Sequence, residues 1–172
     1  MQKGQNQSMT RDINLSLIMR SFIKRPMSRV DISRTFRLSK PAASKITAEL
    51  EALRLICPGK EEAYPNTPGI KPLNYGLNPK LGVITIIDLS SVTVKIQVYN
   101  FRGTILAETC VPDMELIRYD DLVRFTEILQ ALLDKPELSE YALLSLCVAL
   151  PCAINKQSDS VEWSPRFDID PA

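Results

Sequence analysis

The stretch that decides the fold is Ser28-Arg29-Val30-Asp31-Ile32-Ser33-Arg34-Thr35-Phe36-Arg37-Leu38-Ser39-Lys40-Pro41-Ala42-Ala43-Ser44-Lys45-Ile46-Thr47-Ala48-Glu49-Leu50-Glu51-Ala52-Leu53. It carries the start signals of two helices. Ser28 can cap the first, with Asp31 three residues on as a short capping box. Ser39 can cap the second, and Pro41 sits in its opening turn, where a missing N–H costs nothing. On the second helix Ala43, Ile46, Leu50 and Leu53 recur at intervals of three and four, which predicts a core-facing side. Lys40, Ala42, Ser44 and Lys45 then fall toward the opposite side. Short side chains there let a backbone approach a groove, and Ser and Lys reach phosphates and base edges. The outline is that of a helix-turn-helix that reads DNA.

Outward from this segment, the charge is divided. The whole chain has 172 residues and a net charge of +1. Residues 1–60 hold 12 Lys/Arg against 4 Asp/Glu, or +8, and residues 61–172 hold 9 against 16, or −7. That asymmetry favours a nucleic-acid-facing first half with a partner or sensor half behind it. A solvated basic surface would give the same imbalance. Apolar content of 45% fits a globular protein with a core. No run approaches eighteen apolar residues, and Met1 to Thr10 lacks an apolar signal core. No membrane association and a cytoplasmic location are therefore expected.

Histidine is absent, which excludes His-based catalysis and His metal ligation within the chain. Cys57, Cys110, Cys147 and Cys152 match no zinc or redox spacing. Cys110 and Cys147 lie in apolar runs and are expected as buried free thiols. A disulfide between Cys147 and Cys152, which flank Pro151, is disfavoured in a reducing compartment. The pairs Glu61-Glu62 and Asp120-Asp121 read as a solvated loop and a helix's first turn. Trp163, the single tryptophan, is expected to pack in a core or at an edge.

Asn14 to Ile23 predicts a leading helix with Leu15, Ile18, Met19 and Phe22 on one face. Leu55 to Cys57 and Leu73 to Leu77 predict two short strands, with a Pro/Gly-rich loop from Pro58 to Pro72 between them. Two strands and a loop after a third helix make a wing, with Lys60 and Lys71 as candidate backbone contacts and Pro65 and Pro68 stiffening it. Asn78-Pro79-Lys80 is the expected boundary. Beyond it, Val83–Asp88, Thr93–Asn100 and Ile105–Val111 read as strands, with a hairpin turn at Phe101-Arg102-Gly103-Thr104. Tyr119–Leu133 reads as a helix with Leu122, Phe125, Ile128, Leu129 and Leu132 on one side. Leu143–Leu150 reads as a buried strand closed by Pro151. The order β-β-β-α-β predicts a mixed sheet with a crossover helix.

Residues 11–168 resemble the N-terminal part of the ROK family (repressors, open reading frames and kinases), specifically its sugar-responsive repressors of the xylose and N-acetylglucosamine repressor type. The matching pieces are collinear. They are Arg11 and Asn14; Leu38-Ser39-Lys40-Pro41 with Ser44-Lys45-Ile46 and Glu49-Leu50; Gly69-Ile70-Lys71-Pro72; Leu77-Asn78-Pro79; Ile87-Asp88-Leu89; Arg102-Gly103-Thr104-Ile105-Leu106-Ala107; and Val148-Ala149-Leu150-Pro151. No single piece is specific; the series is. The resemblance implies an α+β protein. A winged helix-turn-helix at 1–78 is followed at 79–172 by a partial actin-like (ribonuclease H-like) α/β ATPase lobe with a mixed sheet. In the family the first strand of that lobe ends in Asp-Leu-Gly-Gly-Thr, whose glycines admit a nucleotide phosphate. Here the run is Asp88-Leu89-Ser90-Ser91-Val92-Thr93, and side chains at Ser90 and Ser91 would crowd a phosphate. Asp88 then reads as a turn residue at a strand end. By the same comparison, the family's second lobe with its catalytic and sugar-binding groups would lie beyond residue 172. The family usually has glycine where Arg37 stands, and a left-handed Arg37 costs roughly 1 kcal/mol.

The resulting expectation is a repressor, a sequence-specific DNA-binding transcriptional regulator of sugar-metabolism genes with an incomplete, non-catalytic sensor domain. Its candidate DNA contacts are Arg29, Arg37, Ser39, Lys40, Ala42, Ser44, Lys45 and Lys71. It would act on double-stranded DNA as a homodimer, with a sugar effector in a full-length relative. No catalytic residue, cofactor or metal is expected. Two other classes compete: a dimerising protein-interaction module without DNA binding, and a degenerate sugar kinase.

Overall fold

The computed structural model describes residues 3–59, 73–157 and 160–167. The chain divides into two compact units, Met1–Pro79 and Lys80–Ala172.

The first unit opens with α1 (Lys3–Lys24), followed by β1 (Met27–Ser28), α2 (Arg29–Thr35), α3 (Lys40–Ala52), β2 (Ile56–Pro58) and β3 (Asn74–Leu77). Helix α1 starts eleven residues before the predicted Asn14. Its early turns are polar, so no apolar period marks them. Ile18 and Phe22 of α1 are buried with Met27, Ile32, Ala43, Leu50, Ile56 and Tyr75. The three short strands form one antiparallel sheet in the order β1-β3-β2. Strand β1, two residues long, is too short to leave an alternating pattern in the sequence. Met27 pairs with Tyr75, so the sheet fastens the residue before the α2 cap to the β2–β3 hairpin. The hairpin itself matches the strands expected after α3. Its connecting loop, with Lys60, Pro65, Pro68 and Lys71, lies outside the described residues, as does Glu61-Glu62.

The second unit holds a four-stranded sheet in the order β6-β5-β4-β7. Its strands are β4 (Val83–Asp88), β5 (Val94–Asn100), β6 (Ile105–Val111) and β7 (Leu143–Ala149), with α4 (Tyr119–Leu133) between β6 and β7. Strand β4 is antiparallel to β5 and parallel to β7, so the sheet is mixed. Gly82 admits this pairing, because a Cβ there would stand 2.4 Å from the Ala142 carbonyl oxygen. The β5–β6 turn is built on Asn100, whose side-chain oxygen accepts from the N–H groups of Arg102 and Thr104, each at 3.0 Å. Gly103 supplies the left-handed residue (φ 88°). Helix α4 packs on β5 and buries Phe125, Leu129 and Leu132 against Val83, Ile87, Val94, Ile96 and Val98. Asp121 accepts from the Arg118 N–H at 2.9 Å, which places the Asp120-Asp121 pair at the helix's first turn. A small hairpin, β8 (Ala153–Asn155) with β9 (Ser160–Trp163), follows.

Several expectations about burial are corrected. Strand β7 is exposed along its whole length. An apolar run shows an affinity for cover, and α4 covers β5 rather than this edge. Cys147, on β7, is exposed for that reason. Cys110 is exposed too, because it stands on the sheet face opposite α4, across from Lys95. Trp163, expected in a core or at an edge, takes the second of these places: it is 63% exposed on β9 of the two-stranded sheet.

Candidate nucleic-acid interface

Helix α2 begins at Ser28, whose hydroxyl accepts from the Asp31 N–H at 3.1 Å while the Asp31 carboxylate accepts from the Ser28 N–H at 2.9 Å. This is the capping box read from the sequence. The Ser28 hydroxyl also donates to Asp31, at 2.7 Å. These bonds, the hydroxyl's first, hold the Asp31 carboxyl below its usual range. Arg29 follows immediately. It donates to the Tyr75 hydroxyl at 2.8 Å and lies over the Tyr75 ring, 5.5 Å from the centroid. Arg29 is therefore seated on β3, with part of its donor capacity used internally.

The turn between α2 and α3 is a Schellman closure. The Leu38 N–H donates to the Ser33 carbonyl at 3.0 Å, and Arg37 adopts φ 52°. The turn thus demands the left-handed conformation at position 37, and an arginine fills it. Helix α3 ends the same way. The Leu55 N–H donates to the Leu50 carbonyl at 3.0 Å and Arg54 has φ 59°. Nothing in the local sequence distinguishes Arg54 from a surface arginine. An Arg37→Gly variant removes a left-handed cost of roughly 1–2 kcal/mol and adds roughly 0.5–1 kcal/mol of chain entropy to the unfolded state. The expected outcome is a midpoint higher by roughly 4 °C in thermal unfolding. A lower midpoint would mean that the Arg37 side chain itself holds the turn.

Ser39 caps α3 by accepting from the Ala42 N–H at 3.3 Å, and Pro41 occupies the opening turn. Ala43, Thr47 and Leu50 form the buried side. Thr47 replaces the expected Ile46 and Leu53 there: Ile46 is half-buried and Leu53 is 58% exposed at the helix end. A buried threonine is tolerated because its hydroxyl donates to the Ala43 carbonyl at 2.8 Å.

On the outer surface of α3, Lys40 and Lys45 are exposed, while Ala42 and Ser44 are half-buried at its flanks. The carboxylate of Glu49 is tied to Arg11 of α1 by an ion pair. Arg11 holds Glu49 below the usual carboxylate range, its hydrogen bond contributing most. The helix therefore presents two cations at its opening turns, and the carboxylate of Glu49 is paired with Arg11. Ser39, Lys40, Ala42, Ser44 and Lys45 share one helix start, and Arg37 stands in the turn before it. Arg29 stands apart at the start of α2, and Lys71 lies outside the described residues.

The second unit offers a different candidate, the turn after β4. Asp88 accepts from the Ser90 N–H at 2.9 Å. The Ser90 bonds, side chain before backbone, keep its carboxyl below the ordinary range. The Val92 carbonyl accepts from the Met114 N–H at 3.0 Å, and the Ser91 hydroxyl donates to Thr93 at 2.7 Å. Arg166, buried, donates from Nη1 to the Leu89 carbonyl at 2.6 Å and to that of Ser91, and from Nη2 to that of Met114. The turn is thus occupied by groups of its own chain: the Ser90 amide that could meet a phosphate is bonded to Asp88. No residue from 88 to 93 has a positive φ. Among the described residues, no group of three His, Cys, Asp or Glu is arranged to hold a metal ion, and no helix is long and apolar enough to cross a membrane.

No protein-family model matches the sequence. No curated protein matches it either. Among solved structures, the chain is similar to one described as the crystal structure of the ROK family transcriptional regulator, homolog of E. coli MLC protein. The TM-score is 0.57 and the identity 22%, over 83% of this chain and 36% of that one. The chain therefore spans little more than a third of that regulator's length, and over this portion it shares the regulator's mixed α/β fold.

Proposed function

We propose that the protein is a sequence-specific DNA-binding transcriptional regulator, a ROK-family repressor of the xylose or N-acetylglucosamine repressor type acting on sugar-metabolism genes. In this reading residues 1–78 are a winged helix-turn-helix, and residues 79–172 are an actin-like lobe without catalytic activity, working in the cytoplasm. The observation that carries it is the outer surface of α3. Lys40 and Lys45 are exposed there, on a basic unit, and Glu49, which also interacts with the Lys45 charge, is paired with Arg11. The fold shared with a transcriptional regulator supports the same assignment. The occupied turn after β4 argues against a sugar kinase, and thermal unfolding with millimolar Mg-ATP should show no stabilisation. A sugar effector belongs, in this reading, to longer relatives.

The test is binding to a duplex at several salt concentrations. A linear fall of log affinity with log salt is the mark of phosphate contacts. A salt-independent or absent interaction at low ionic strength would remove the reading.

The proposal includes a homodimer, supported by β7. The strand carries no charge, proline or glycine, the devices that usually guard an edge. An antiparallel pairing with a second copy, centred on Leu146, would set Leu144 opposite Val148 and Ser145 opposite Cys147. Each face would then meet its like, as an isologous contact requires. Leu146→Lys is expected to shift the protein to monomer in sedimentation. An unchanged oligomer would place the interface elsewhere. The alternative, an interaction module without DNA binding, also draws on β7. It would be favoured by dimers that ignore duplex DNA.

A further inference from the structure

Helix α3 runs Lys-Pro-Ala-Ala-Ser-Lys-Ile-Thr-Ala-Glu-Leu-Glu-Ala from Lys40 to Ala52 and contains no Arg, Asn or Gln. Arginine is the commonest specific partner of guanine, and Asn and Gln pair with adenine. At 3.6 residues per turn, the side opposite Ala43, Thr47 and Leu50 is the row Pro41, Lys45, Ala48 and Ala52, and all four are exposed. Lys40 stands at the helix's first residue, and the remaining polar side chains, Ser44, Thr47, Glu49 and Glu51, are committed or set back. Thr47 is buried and donates to the Ala43 carbonyl. Glu49, the acceptor that could reach cytosine N4, is held by Arg11. Ser44 and Glu51 are half-buried. What remains for base edges is a row of short apolar surfaces interrupted by one lysine.

Among base edges in the major groove, the group that answers such a surface is the C5-methyl of thymine. From Pro41 to Ala48 the helix advances about 10 Å, roughly three base steps. Small side chains also let the helix sit deep, so that these methyls come into van der Waals contact. We infer that α3 selects thymine-bearing, A·T-rich steps of the major groove by methyl contacts at Pro41 and Ala48, while Lys40 and Lys45 supply attraction that does not depend on sequence. This rests on the DNA-binding reading and adds the chemistry of its target.

The experiment starts from the duplex that the full chain enriches from a randomised pool. Each thymine in it is then replaced by deoxyuridine, which removes only the methyl. Affinity should fall about fourfold per contacted methyl, with the salt slope unchanged. Ala48→Gly should erase the thymine–deoxyuridine difference at one position, and Ala48→Ser, which keeps helix propensity closer to alanine, should reduce it. Salt-dependent binding that is indifferent to every deoxyuridine replacement, or enrichment of G·C-rich duplexes, would overturn methyl readout and leave DNA binding standing. Failure to bind any duplex at low salt would overturn both.

Discussion

Reversing both cations at the start of α3, in a Lys40→Glu/Lys45→Glu variant, is expected to weaken duplex binding about a hundredfold at ~0.1 M salt. Each phosphate contact releases close to one counterion, and at that concentration each release is worth nearly tenfold in affinity. Losing two contacts gives somewhat under a hundredfold, and repulsion between glutamate and phosphate adds the rest. The two sites are exposed, so the fold should survive. Fluorescence anisotropy across a salt series checks the result. The slope of log affinity against log salt should flatten by about two, equally for all duplexes. Arg11→Ala is a useful companion. It frees the Glu49 carboxylate near the same surface, so binding should drop although no DNA contact was removed. Adding Glu49→Ala should restore it. An unaltered slope in the double reversal would mean that α3 does not lie on the duplex.

The second large effect is expected at Arg166. Its guanidinium serves three carbonyls, those of Leu89, Ser91 and Met114. Ser164 keeps the segment in place by donating to the Pro151 carbonyl at 2.9 Å and accepting from the Arg166 N–H at 3.2 Å. Arg166→Met keeps the stem's packing and removes every donor. Hydrogen bonds to a charged group are worth roughly 1.5–3 kcal/mol each, and a buried orphaned carbonyl costs roughly 1–3 kcal/mol. Against this stands relief from burying a cation whose Nε has no partner. The net loss should be about 3 kcal/mol, or at least roughly 10 °C in the unfolding midpoint of a unit this size. Arg166→Lys keeps the charge without the planar fork and should recover less than half of the loss. A Met variant as stable as the parent would show that the three carbonyls are satisfied otherwise.

These two sites differ in how far the sequence reveals them. Helix α3 is legible because its signals are local. Ser39, Pro41 and the spacing of Ala43 and Leu50 lie within a dozen residues, and each appears in the structure as read. The phase slips where a local rule is outweighed. Thr47 takes the core place expected for Ile46 and Leu53 because one hydroxyl can satisfy itself on the preceding turn. Strands β4 to β6 and the Asn100–Gly103 turn are legible for the same reason as α3. Arg166 is not: its partner Leu89 is 77 residues away, and Pro165-Arg166-Phe167 reads as any surface segment. The first turns of α1 are equally silent, since a polar run carries no apolar period. Cys110 and Cys147 are exposed where burial is expected, because strand composition reports neither which face a residue takes nor which edge lacks a neighbour. The occupied turn after β4 lies between these cases. Its serines announce a departure from a phosphate loop, but the closing role of Asp88 depends on how the folded turn brings the Ser90 amide to its carboxylate.

The bare ribbon of β7 has a practical consequence for all such measurements. Any association along it makes folding a reaction between molecules as well as within one, so molarity enters the melting curve. Dilution then acts as a mild denaturant. Variants of Arg37 or Arg166 can be ranked only at matched concentration, and a midpoint that climbs from micromolar to tenfold higher samples would report on this edge before any partner is identified.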